Sequence, residues 1–231
     1  MYFIRDYDGP KPFNLENLSA DVLLLGQDPT VDRDTRFSTV LGLDASVSSG
    51  ARESLHLQQY IFGKILTALK IEKSRLLATN LVNLYYCDVP NKIIAKKYRD
   101  LIIDIAKREG IDVDRYPDKA NGSILHAINF KVRTQREFEK MLMRSSVLHL
   151  ITLGEPVFQV LRERYNLDFP SKLRQVLQEI NGKPKIVSIG LKQVTFLPLP
   201  HIFNENNARW DFYNRFIVNE LPLLFSSYNL S

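Results

Sequence analysis

Residues Asp21 to Thr30, Asp-Val-Leu-Leu-Leu-Gly-Gln-Asp-Pro-Thr, set the aliphatic run Val22–Leu25 against an abrupt Gly-Gln-Asp-Pro corner. An apolar run of this length with no polar alternation is the pattern of a strand buried on both faces, and such strands belong mainly to parallel sheets. Gly26 and Pro29 then close it into a turn. Asp28 is thereby expected just past the carboxyl end of a core strand.

Further apolar runs repeat this signature. Arg75 to Val82 (RLLATNLV), Val147 to Gly154 (VLHLITLG), Lys185 to Ile189 (KIVSI) and Val194 to Leu199 (VTFLPL) read as buried, mostly parallel strands. Helical patterns separate them. Leu57, Ile61, Phe62, Ile65, Leu66 and Leu69 fall on one stripe at helical spacing. Thr134-Gln135-Arg136-Glu137 reads as a capping box opening a helix through Met143, and Pro156 suits the first turn of another helix after Gly154. From Ala208 to about Leu221, Trp210, Tyr213, Phe216 and Ile217 recur on a helical face. The alternation predicts an α/β fold, a three-layer α/β/α sandwich around a mostly parallel sheet. One domain over residues 1–231 is expected, with an N-terminal arm over about 1–19 and an unplaced insertion over about 90–133. Lys92, Lys96, Lys97, Arg99, Lys107 and Arg108 give that insertion a basic helix, yet Asp100 and Asp104 mix the signs, as on an ordinary exposed face.

Bulk composition narrows the function classes. A chain of 231 residues, 45% hydrophobic and 25% charged, can bury a full core. No apolar stretch approaches the roughly 20 residues that span a bilayer, and Met1 to Phe13 lacks a secretory layout. The expectation is an intracellular, cytoplasmic protein without membrane contact, nucleoid-associated in a bacterium or archaeon. The single cysteine, Cys87, excludes an internal disulfide, a four-cysteine zinc site and a cysteine-ligated iron-sulfur cluster. His56, His126, His149 and His201 have no ligand-like spacing, so neither metal nor cofactor is expected. A Gly-x-Gly-x-x-Gly after the first strand and a phosphate-loop Gly-Lys-Ser/Thr are both missing, which disfavours dinucleotide oxidoreductases and nucleoside triphosphatases. A net charge of +5 and a pI near 9.2 are compatible with a polyanionic partner.

Ligands of parallel sheets bind beyond the carboxyl ends of the strands. Asp28 follows the first run, Asn80 lies near the end of the second, and His201 follows the last through Leu199-Pro200. Each has a plainer reading in isolation. Asp-Pro forms turns, Asn80 can tie down a neighbouring loop, Phe37 can fill core, and His201 can be a satisfied structural histidine. Their joint order at three strand exits favours a common crevice.

In that order the chain resembles the uracil-DNA glycosylase superfamily. Gly26-Gln27-Asp28-Pro29 with Phe37-Ser38 downstream is similar to the family's water-activating motif, and Ala78-Thr79-Asn80-Leu81-Val82 to the strand bearing its uracil-reading Asn. Leu150-Ile151-Thr152-Leu153-Gly154 resembles the penultimate strand-helix unit, and Leu197-Pro198-Leu199-Pro200-His201 occupies the place of the His-Pro-Ser motif. The resemblance covers about residues 20–83 and 146–225. It implies a cofactor-independent glycosylase acting on DNA, single- or double-stranded, that contains uracil or a related lesion. Asp28 would stabilise the oxocarbenium-like sugar and orient water, while His201 would donate to O2 of the leaving base. Gln27, Phe37 and Asn80 would bind the flipped base, Phe37 by stacking and Asn80 by matching N3-H and O4. Phe203 would wedge into the opened duplex, and Arg33, Arg36 and Arg209 would meet phosphates. For Phe203 and the three arginines, loop packing and a solvated charged loop stand as the alternatives.

The sequence departs from the family at named places. Thr30 replaces the Tyr that excludes the thymine methyl, Val31 replaces the following His, and His201-Ile202-Phe203 lacks the phosphate-gripping Ser. Exclusion of thymine is left open, and so is a second reading, a weak or inactive glycosylase fold serving as a DNA-binding or partner-binding module.

Overall fold

The structure, a computed structural model, describes residues 12–27, 59–82, 98–116, 122–179 and 184–200. Within them the chain is α/β. The strands β1 (Val22–Gly26), β2 (Leu76–Asn80), β3 (His149–Leu153), β4 (Lys185–Ile189) and β5 (Lys192–Leu199) form one sheet in the order β2-β1-β3-β5-β4. β2, β1, β3 and β5 run parallel, and β4 lies antiparallel on the edge. The apolar runs thus give the mostly parallel sheet that the sequence predicts.

Burial follows from position. Val22, Leu23, Leu24 and Leu25 of the inner strand β1 are all 0% exposed, as expected of a strand covered on both faces. On the edge, β4 exposes Lys185, Ile186 and Ser188 and buries Val187 and Ile189. β4 and β5 are joined by the tight turn Gly190-Leu191, where Gly190 has φ +60, a conformation suited to a two-residue hairpin.

Pro198 sits inside β5 without breaking the ladder. Thr195 N-H donates to Leu148 and Leu199 C=O accepts from Gly154 N-H, so the odd residues of β5 face β3. Pro198 faces the other way, and pairing with β4 ends at Phe196 opposite Lys185. Among the described residues its missing N-H therefore meets no strand partner.

A π-helical segment, Gln59–Leu66, runs into α1 (Thr67–Leu69). It buries Tyr60 with Ile65 and Ile61 with Leu66, pairs five residues apart that the wider π winding brings onto one side. α2 (Arg99–Arg108), α3 (Gly122–Asn129), α4 (Gln135–Leu142), α5 (Glu155–Arg164) and α6 (Leu173–Glu179) follow. α2 buries Ile102 and Ala106 and carries Asp100 in its first turn, which fits the mixed-sign surface helix, while Lys92, Lys96 and Lys97 lie outside the described residues. Pro156 occupies the first turn of α5 as predicted, directly after Gly154 with φ +95.

The capping-box reading is corrected. The predicted helix is present as α4, Gln135–Leu142, with Thr134 at its N-cap and Met143 at its C-cap, but it continues from the π turn Phe130–Thr134 that links it to α3, and the Thr134 side chain makes no capping hydrogen bond. Its hydroxyl donates instead to the buried carbonyl of Leu81.

The chain passes from β1 to β2 in one direction and from β3 to β5 in the other. Right-handed crossovers place the two connections on opposite faces, an arrangement compatible with three α/β/α layers. Rings of Phe158 on α5, Phe169 and Phe196 on β5 pack in series at 6.0 and 5.5 Å, which assigns α5 to the face bearing Phe196. The entry edge of the sheet is tied by Asp21. Its carboxylate holds Arg75 through two hydrogen bonds of 3.0 and 2.5 Å, and its carbonyl accepts from Leu148 and His149 N-H at 2.8 and 3.0 Å.

Candidate functional site

The order β2-β1-β3 makes the carboxyl end of β1 the point where connections diverge to either side, and such points open a crevice in α/β sheets. Gly26 of β1 stands in register with Asn80 of β2. The ladder continues past the strands: Leu81 N-H donates to Gly26 at 2.7 Å and Val82 N-H to Gln27 at 3.1 Å. Gln27 is partly buried, and its carbonyl belongs to the peptide unit leading to Asp28. The exit of β1 is therefore held by main-chain bonds up to the residue before the predicted carboxylate.

Asn80 has an unusual state. It is 2% exposed, and neither its Oδ1 nor its Nδ2 has a hydrogen-bond partner. A buried amide left unpaired costs roughly 1–3 kcal/mol, so a purely structural Asn is normally satisfied. Parity fixes the face on which it lies. Phe196 registers with Leu150, Leu150 with Leu23, and Leu23 with Leu77, all on the α5 face. Asn80, three residues after Leu77, points to the opposite face, the one on which a right-handed crossover from β1 to β2 puts the segment Gln59–Leu69. Beside it in register is Gly26, with no side chain to fill the space.

On the other side of β1, β3 exits through Gly154, whose N-H donates to Leu199 at 2.8 Å. β5 then exits through Pro200. The buried hydroxyl of Tyr60 donates to the Pro200 carbonyl at 2.9 Å, tying the start of the π-helical segment to this exit. Sequence reasoning missed Tyr60 and read Thr134 only as a helix cap, although their hydroxyls reach two of the exits. A Tyr beside the apolar stripe was the only signal for the first, and the capping-box pattern masked the second.

Of the predicted site residues, Gln27 and Asn80 are brought to one corner, on adjacent strand ends. Asp28, Phe37, His201, Phe203, Arg33, Arg36 and Arg209 lie outside the described residues, as do the predicted C-terminal helix and Cys87. Among the described residues no helix is long and apolar enough to cross a membrane, and no three His, Cys, Asp or Glu side chains are grouped to hold a metal ion. No protein-family model and no curated protein matches the chain.

Proposed function

We propose that the chain is a DNA glycosylase with a uracil-DNA glycosylase-like fold, hydrolysing the N-glycosidic bond of uracil or a related damaged pyrimidine as a step of base excision repair. The observation that carries this reading is Asn80: a buried amide with both polar atoms free, at the carboxyl end of a parallel strand. One acceptor and two donors match N3-H and O4 of uracil, and binding the base would satisfy the group that the protein leaves unpaired. Gly26, in register beside Asn80, carries no side chain, and Asp28 follows two residues later on the same exit.

Bond cleavage puts positive charge on the sugar and negative charge on the base. In this reading Asp28 stabilises the first and orients water, His201 donates to the second, and Phe37 stacks on the extruded ring. Arg33, Arg36 and Arg209 contact phosphates, and Phe203 fills the gap in the duplex.

A base-release assay on single- and double-stranded oligonucleotides carrying one uracil tests this, with Asp28→Asn and His201→Ala beside wild type. Wild type is expected to release uracil, and each variant to lose about 10²- to 10³-fold. Release undiminished in both variants would remove their assigned roles. The missing serine after His201 favours a second reading, a binding module without catalysis; salt-dependent DNA affinity with no base release would support it. Parallel substrates with mismatched thymine, xanthine or hypoxanthine report the consequence of Thr30.

A further inference from the structure

The exits of β1 and β5 are held by different kinds of bond. At β1, Val82 N-H fixes the Gln27 carbonyl, a main-chain contact that any sequence would make. At β5 no such partner is at hand among the described residues. Even-numbered residues of β5 face β4, and β4 pairs no farther than Phe196. On the other side, Gly154 N-H is already engaged with Leu199, after which the chain turns into α5. The Pro200 carbonyl is satisfied by a side chain, the Tyr60 hydroxyl, in a buried bond spanning 140 residues of sequence.

We propose that Tyr60 is a positioning residue for His201, an inference that rests on the glycosylase reading. The Pro200 carbonyl and the His201 N-H share one peptide unit. That unit is planar, so holding its oxygen sets the direction in which the chain leaves toward the imidazole. Tyr60 itself needs no contact with substrate. Its reach comes from the π winding, which turns it inward together with Ile65 at the carboxyl edge of the sheet. A donor aimed at a developing charge is sensitive to displacements of the order of 1 Å, which cost up to about 10²-fold in rate.

A double-mutant cycle with His201→Ala on a uracil oligonucleotide tests the proposal. Tyr60→Phe removes only the hydroxyl and is expected to lower kcat by about 10- to 100-fold with KM within about two-fold. In the His201→Ala background the same change should cost less than about two-fold, because the group it positions is gone. Replacing Tyr60 with 4-aminophenylalanine, which keeps a donor at the same place, should return most of the rate and the coupling to His201, and 4-fluorophenylalanine, which fills the hydroxyl's space without donating, carries the cycle where Tyr60→Phe folds too poorly to assay. Equal losses in both backgrounds, or no loss at all, would overturn the positioning role while leaving the glycosylase reading intact. Absence of base release by wild type would overturn both.

Discussion

Asn80 stands in register with Gly26 on neighbouring parallel strands, so a buried amide with neither polar atom partnered lies beside a residue that has no side chain. Function and stability are opposed at such a position. Asn80→Leu keeps the approximate volume and removes the unpaired polar atoms; it is expected to leave stability unchanged or to raise it by about 1 kcal/mol. A structural asparagine would behave in the opposite sense. Thermal or denaturant unfolding of the two proteins decides the sign.

The opposite edge of the sheet is a stability element. Arg75 forks onto Asp21 with side chains 28% and 18% exposed, and Asp21 also receives two main-chain donors of the β3 entry. Arg75→Ala leaves the carboxylate without its cation and is expected to cost about 1–2 kcal/mol, a fall of several degrees in Tm at this chain length. An unchanged Tm would show that the pair contributes nothing measurable.

His149 begins β3 beside this ion pair. Burial pushes its pKa below the usual imidazole value, with Asp21 opposing and Arg75 reinforcing the shift. The folded protein thus favours the neutral ring, and the unfolded chain binds the proton first as pH falls. Stability is expected to drop from pH about 6.5 down to the depressed folded value and to level off below it. In His149→Gln this part of the pH dependence should vanish; unfolding curves for both proteins between pH 7.5 and 5 that fall in parallel would refute the assignment.

Gly154 turns β3 into α5 at φ +95 and ψ 156, a region nearly reserved for glycine. Gly154→Ala is expected to cost about 1–3 kcal/mol by denaturant unfolding. Because Gly154 N-H holds Leu199 next to the β5 exit, base release should fall as well. Wild-type stability in Gly154→Ala would show that the backbone relaxes there without strain.

The sheet was legible because its cue is local. Runs such as Val22–Leu25 and Leu150–Leu153 have no polar alternation, and only strands covered on both faces tolerate that. The antiparallel turn at Gly190 was not anticipated, although a two-residue connection from Ile189 to Lys192 is too short for any parallel crossover. Thr134 marked the start of α4 correctly but misled over its cap, for a physical reason. A Ser/Thr-x-x-Glu pattern signals a capped helix start only when the preceding residues are not already helical, and here α3 and a π turn run straight into it. At the candidate site, composition and order pointed to Gln27 and Asn80, whereas the empty hydrogen-bonding state of Asn80 depends on packing between distant segments. The same holds for the Tyr60 bond to Pro200, whose ends are 140 residues apart.

The most direct test compares wild type with Asn80→Leu by mass spectrometry of free base released from an oligonucleotide with a single uracil. The account predicts that wild type releases uracil and that Asn80→Leu, folded and at least as stable, releases it at least about 10²-fold more slowly. No release by wild type, or equal release by the two proteins, would contradict it.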